Sequence, residues 1–261
     1  MTADEIARIR AADGWRIHRV ESFGCAEGAV VAKGQRPPRN NIGERFLRMV
    51  ATVAGLPLLL AAPVPGAAAA QEVEVRRLGE LRAAGVRVPR VVHVDTEFFV
   101  MERLDGPNVS EAMAREPERS LPLWRQGLEF ILDVHARGQY LSQAYARNLI
   151  VDPQGLAAVD FEDDPQQIMP LPHAQARDWL LYLHSTVWLL LPQRGKDAHV
   201  MWDQLVQADS REVVGLLDAT ARRMGWLRHL PEKRRPWGRD VVATQAAAQF
   251  FHDWAQRRRS S

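Results

Sequence analysis

The spacing of apolar positions changes part-way along this chain. Up to about residue 105 they mostly alternate or bunch in short runs, as in strands; beyond that they recur every third or fourth position, as in helices. Residues 2–12 predict a short polar helix. "WRIHRVESFGCAEGAVVAKGQ" (15–35) predicts strand, glycine-containing turn and strand, with Lys33 at the end of the β-rich "AVVAKG". "QEVEVRRLGELRAAG" (71–85) predicts a helix closed by Gly85. "VVHVDTEFFVMERLDG" (91–106) predicts two hairpin strands leading into a connector. "LPLWRQGLEFILDVHARG" (121–138) predicts an apolar-striped helix. Two short strands follow, "LIV" after Asn148 and "LAAV" before Asp160, around the turn Asp152-Pro153-Gln154-Gly155. "AQARDWLLYLHSTVWLLL" (174–191) predicts a strongly apolar helix, and the remainder reads as helical. The fold class expected is α+β.

One segment fits neither spacing. Residues 49–70 form a 22-residue uncharged stretch. Its length matches a bilayer crossing, but Pro57, Pro63 and Pro65 break a continuous helix. Two placements remain: packing on the protein itself, or a peripheral membrane contact through 42–62. Arg36, Arg39, Arg45 and Arg48 on its flank would then face anionic headgroups.

Composition narrows the function. A net charge of +2 gives no whole-molecule case for nucleic-acid binding. A single cysteine, Cys25, allows no internal disulfide, and the first fifteen residues lack the apolar core of a signal peptide. Both fit a cytoplasmic chain, placed at the inner face of a membrane if the apolar segment touches it. Of 34 basic residues only Lys33, Lys196 and Lys233 are lysines. A lysine in an apolar strand of so arginine-rich a chain points to a pocket that takes a compact ammonium.

Phosphoryl transfer from ATP needs positive charge on the phosphates, oxygen ligands for Mg²⁺ and a group that orients the attacking oxygen. Lys33 ends its strand where it could reach phosphates. Glu74 shares a helix face with Leu78 and Leu81, so its carboxylate needs a partner, which Lys33 can be. Glu72, on another face, is the fallback. Asn148 and Asp160 bracket the second hairpin and offer hard oxygen ligands. Taken singly, these residues have plainer readings: a strand-end lysine, a helix-surface glutamate, a cap and an Asx turn. His135 reads as a structural helix-end residue, and Trp179, Tyr182 and Trp188 as core. Asp178 reads either as a brace for the loop before Asn148 or as a helix N-terminal charge.

In order and spacing, "VVAKG", "EVRRLGELRAAGVRVPRVV", "FFVMERLDG", "LEFILDVHARG", "RNLIV" and "AVDFEDDP" resemble the protein-kinase-like superfamily. The nearest likeness is to its small atypical branches: lipopolysaccharide-core sugar kinases, Rio-type kinases and aminoglycoside/choline phosphotransferases. The resemblance covers roughly residues 15–190 and implies a bilobal fold. An antiparallel-sheet lobe with one helix (1–104, apolar insertion 42–70) would join a helical lobe (105–261) through a hinge from Glu102 to Pro107. It implies ATP and Mg²⁺ as cofactors. Lys33, Glu74, Gly24, Gly28 and the hinge residue Glu102 would bind the nucleotide, and Asn148 and Asp160 the metal.

The chain departs from this pattern at one place. The position five before Asn148, where the family carries its catalytic aspartate, is Gln143. Gln143 can orient a nucleophile but cannot accept its proton at neutral pH. Glu162, Asp163 and Asp164 offer carboxylates that could stand in. The glycine loop is also thin, with only Gly24 and Gly28. The resemblance therefore implies either a phosphotransferase acting on a saccharide, lipid-linked or protein hydroxyl, with Gln143 and Asp160 as its catalytic pair, or a pseudokinase that binds nucleotide and a partner. Nucleotidyl transfer is a third outcome.

Overall fold

A computed structural model of the chain describes residues 1–35, 58, 66–190 and 195–260. Its first part is a four-stranded antiparallel sheet in the order β1-β2-β4-β3, built from β1 (Val20–Cys25), β2 (Gly28–Gly34), β3 (Val91–Val94) and β4 (Phe98–Glu102). Three helices flank it: α1 (Ala3–Ala11), α2 (Gly14–His18) and α3 (Ala67–Ala83). Side chains alternate along each strand, so the sheet has two separate packing faces. Val30, Ala32, Phe98 and Val100 pack with Ile9 and Trp15 of α1 and α2 on one face. Phe99 and Met101 turn to the other, with Leu78 and Leu81 of α3. Lys33 pairs with Phe99 in the ladder and shares this second face.

The second part is helical, with α4 (Val109–Arg115), α5 (Ser120–Ala136), α6 (Leu171–Thr186), α7 (Gly195–Val206), α8 (Arg211–Met224) and α9 (Arg239–Ser260). Between α5 and α6 a two-stranded hairpin, β5 (Leu149–Asp152) and β6 (Gly155–Ala158), turns at Pro153-Gln154. All of Ala174–Leu183 in α6 is buried, which makes α6 the central helix around which the others pack. Trp202 of α7 meets Trp179 of α6 and Trp254 of α9 edge-on, with ring centroids 5.3 and 5.8 Å apart. Trp179 and Tyr182 are core as expected, whereas Trp188 is half-buried.

The two parts meet through residues 103–108. Asn108 caps α4 by accepting from the Glu111 amide at 2.9 Å, and the Val151 amide donates to the Pro107 carbonyl at 2.9 Å. Gly106 has φ +157°, and a Cβ there would lie 2.0 Å from the Val151 carbonyl oxygen, so only glycine fits this crossing.

Three expectations shift. Residues 14–18 are helical rather than strand, because Trp15 is buried from a helix; Arg19, at φ 71°, then turns the chain into β1. Helix α3 begins at Ala67, four residues early, since the alanine run is a strong helix former. The connector after β4 contains α4. Of the uncharged stretch, Leu58 is buried in the main core, Gly66 is the N-cap of α3 and 67–70 are its first residues; the rest lies outside the described residues. Among the described residues, no helix is long and apolar enough to cross a membrane.

A buried network crosses the helical part. His135 Nδ1 lies 2.7 Å from Asp209 Oδ2, which also accepts from Trp179 Nε1 at 2.6 Å. His135 Nε2 lies 3.5 Å from Asp178 Oδ2. Burial pushes the imidazole pKa down, but the negative carboxylates of Asp178 and Asp209 beside the ring outweigh it and raise it above the ordinary 6.5. A raised histidine contributes stability below its unfolded value and loses it as pH rises through the folded one. Unfolding free energy is therefore predicted to fall with rising pH above about 6.5. His135→Gln is predicted to remove that slope and to cost about 3 kcal/mol at the acid end, as urea titrations at several pH values would show. Where α5 crosses α6, a Cβ on Gly127 would sit 2.0 Å from the Tyr182 hydroxyl, itself donating to the Trp124 carbonyl at 2.9 Å. Gly127→Ala is predicted to cost about 2 kcal/mol in the same assay.

Candidate functional site

The Lys33 side chain leaves β2 on the α3 face of the sheet and is buried. Its Nζ lies 2.7 Å from Glu74 Oε1, 2.8 Å from Asp160 Oδ1 and 3.0 Å from Glu162 Oε1. The partners come from two places, α3 and the segment after β6. Glu74 sits on the sheet-facing side of α3, in line with Leu78 and Leu81 as its spacing predicts; Glu72, the fallback, is exposed. Asp160 and Glu162 follow β6. The hairpin register pairs Leu149 with Ala158, and the Val159 amide donates to the Asn148 carbonyl at 2.9 Å. This returns Asp160 to the neighbourhood of Asn148, so Lys33, Glu74, Asn148 and Asp160 gather at one end of the sheet.

The charges here interact strongly. Burial raises the Glu74 carboxyl above its ordinary value, more than Lys33 lowers it, and Asp160 adds repulsion. Burial acts on Asp160 too, but Lys33, with Arg19 and Arg147, outweighs it and holds that carboxyl below its ordinary value. Ligand atoms of Glu74, Asp160 and Glu162 all lie within 4.8 Å of one another. This donor set is all hard oxygen, which suits Mg²⁺ or Ca²⁺ better than a soft metal. Glu74 and Glu162 are buried on Lys33, and Glu162 also pairs with Arg19. Asp160, paired to Lys33 through Oδ1 and with 32% of its side chain exposed, is the most open of the three. Asn148 donates its Nδ2 to the Gln143 carbonyl at 3.0 Å, which leaves Oδ1 as its ligand atom.

The loop 139–148 runs beside this cluster and is pinned from α6 and α3. The Leu141 amide donates to Asp178 Oδ2 at 2.6 Å, so Asp178 braces the loop, the first of its two readings. Arg177 donates to the Ser142 carbonyl, and the Ala146 amide to Ser185 Oγ at 2.9 Å. From α3, Arg77 donates to the Tyr140 carbonyl at 2.8 Å. Gln143 is half-buried; burial raises the Asp163 carboxyl above its ordinary value, with Arg177 and then Gln143 acting against it. Asp163 Oδ2 lies 3.4 Å from Arg177 Nη2, while Oδ1 has no hydrogen-bond partner among the described residues. Asp164 is held by the Tyr140 hydroxyl and, at 2.5 Å, by Arg76.

Among the described residues, the non-glycine positions with left-handed backbone are Arg19 (φ 71°), Ser142 (φ 65°) and Asp160 (φ 71°). Each costs about 1–3 kcal/mol relative to an ordinary conformation. Arg19 and Asp160 belong to the Lys33 cluster, and Ser142 precedes Gln143.

Two expected contributors lie elsewhere. The turn at Ala26-Glu27 pairs Cys25 with Gly28 and Val20 with Lys33. Gly28 is thus five residues from Lys33 along β2, about 17 Å at strand rise, and Gly24 lies beside Ala29 at the same far end. The Ala26 amide at that tip already donates to Glu5 at 2.8 Å, and Arg8 holds the Gly24 carbonyl at 2.5 Å. Gly24 and Gly28 therefore form no cradle beside Lys33. Glu102 pairs with Val30, so its side chain faces the α1–α2 side and accepts from the Arg90 amide at 3.2 Å. Its backbone ends β4, just before the connector. The residue missed was Arg19, whose carbonyl accepts from the Gly34 amide at 2.7 Å. Counting register back from the two-residue turn would have found it.

No family model and no curated protein matches the chain, so the functional argument rests on the residues themselves.

Removing the ammonium alone strands buried carboxylates. Lys33→Met is predicted to lower the unfolding free energy by about 3 kcal/mol, and Lys33→Met combined with Glu74→Leu by less, measured by urea denaturation.

Proposed function

We propose that the chain is an ATP- and Mg²⁺-dependent phosphotransferase of the protein-kinase-like type, with a bilobal arrangement of the sheet part and the helical part. One observation carries this reading: a single buried lysine on the sheet reaches both a helix glutamate and the aspartate that follows the second hairpin, 127 positions away in sequence. A lysine of this kind neutralises nucleotide phosphates, and Glu74 keeps it extended. Asp160 and Asn148 would hold the metal, whose chemistry is to neutralise charge on the phosphates. Arg19 takes over, as a side chain, part of the phosphate binding that a glycine loop supplies elsewhere through its amides. The strained backbone at Arg19, Ser142 and Asp160 supports a functional rather than a purely structural cluster. The acceptor is a hydroxyl on a saccharide, lipid-linked or protein molecule.

Gln143 favours a second reading, a pseudokinase that binds nucleotide and acts through a partner. Incubation with ATP and Mg²⁺ separates the two. The enzyme reading predicts steady ADP release that falls at least about a hundredfold in both Lys33→Met and Asp160→Ala. Thermal stabilisation by ATP without any turnover would favour the pseudokinase, and an AMP-sized mass increment on a product would show nucleotidyl transfer instead.

A further inference from the structure

The reading above leaves a chemical gap. Gln143 stands where the attacking hydroxyl would be received, and a carboxamide cannot take its proton. Three carboxylates follow Asp160, and their surroundings separate them. Glu162 is committed to Lys33 at 3.0 Å and to Arg19. Asp164 accepts from the Tyr140 hydroxyl on one oxygen and from Arg76 at 2.5 Å on the other. Asp163 is different. It is 4% exposed, and Arg177 holds Oδ2 at 3.4 Å. Oδ1 has no hydrogen-bond partner among the described residues. A buried carboxylate oxygen without a donor is costly unless a donor arrives with a ligand.

We propose that Asp163 is the catalytic carboxylate of this site, receiving the acceptor hydroxyl on Oδ1 while Gln143 orients it. The assignment rests on the phosphotransferase reading. In the step, the acceptor oxygen bonds to the γ-phosphorus as its proton passes to Asp163 Oδ1. The bond from that phosphorus to the bridging oxygen breaks, and ADP leaves with the electron pair. Arg177 holds the other carboxylate oxygen and, through the Ser142 carbonyl, the backbone next to Gln143, so acid and amide are fixed by one guanidinium. The carboxylate has moved from the loop to the strand-end segment, and its place beside the nucleophile is kept.

The test uses the full chain with ATP and Mg²⁺, water serving as the acceptor, and reads ADP release. Asp163→Asn is expected to lower kcat about a hundredfold with little change in KM for ATP. Adding Gln143→Asp to Asp163→Asn returns a carboxylate to the loop and is expected to restore at least about tenfold. Wild-type turnover with an undiminished Asp163→Asn rate overturns the assignment alone. A double variant that folds, binds ATP and shows no gain over the single one overturns it as well. Wild-type protein that binds ATP without turning it over overturns the phosphotransferase reading and this assignment together.

Discussion

An ammonium group buried in protein persists only where carboxylates surround it, because neither charge can leave water unpaired without a cost of several kcal/mol. Lys33 meets that condition with Glu74, Asp160 and Glu162, drawn from α3 and from the segment after β6. The contact therefore ties sheet, helix and hairpin at one point. It also sets the sign of the site. Three carboxylates face Lys33 and Arg19, so an anion arriving alone meets an excess of negative charge. On the proposed reading, that excess makes a divalent cation a condition of binding: it brings the phosphates in and releases Asp160 from the lysine.

Backbone strain gathers at the same place. A left-handed conformation at a β-carbon-bearing residue persists only where the surroundings over-determine it. At Asp160 it aims the carboxylate back toward Lys33 straight after a strand. At Arg19 it bends the end of α2 into β1, beside the ladder's last pair. Both turns serve to bring charge to the amine, and the fold accommodates them elsewhere through well-packed cores on either side.

Much of this was legible in the sequence. Glu74 could be read because a charged residue in line with Leu78 and Leu81 has to find a partner, and Asp160 because the Asp152-Pro153-Gln154-Gly155 turn fixes where the returning strand ends. What could not be read depended on register and on facing. Gly24 and Gly28 looked like a phosphate loop from their spacing alone, yet a two-residue turn places them at the far end of the hairpin from Lys33. Glu102 lay on the expected connector, but strand alternation turns its side chain to the opposite face. Arg19 carried no composition signal in a chain so rich in arginine. Residues 36–57 and 59–65, which together hold most of the uncharged stretch 49–70, lie outside the described part.

The loop 139–148 shows how the helical core reaches the site. Apart from one short 3-10 turn at Ala146–Asn148, it has no regular structure of its own, so side chains from α6 and α3 set its shape. Asp178 fixes Leu141, Arg177 fixes Ser142 and Ser185 fixes Ala146, all from α6, in which Ala174–Leu183 are all buried. Asp178 is itself placed near His135, which Asp209 holds. Because α6 is packed on every side, small displacements of it are costly, and the positions of Gln143 and Asn148 inherit that rigidity. Positioning contributes more than proton removal in a loose phosphoryl-transfer transition state. On the proposed reading, a loop held this firmly therefore retains its use without an aspartate at 143, provided a neighbouring carboxylate occupies the same space.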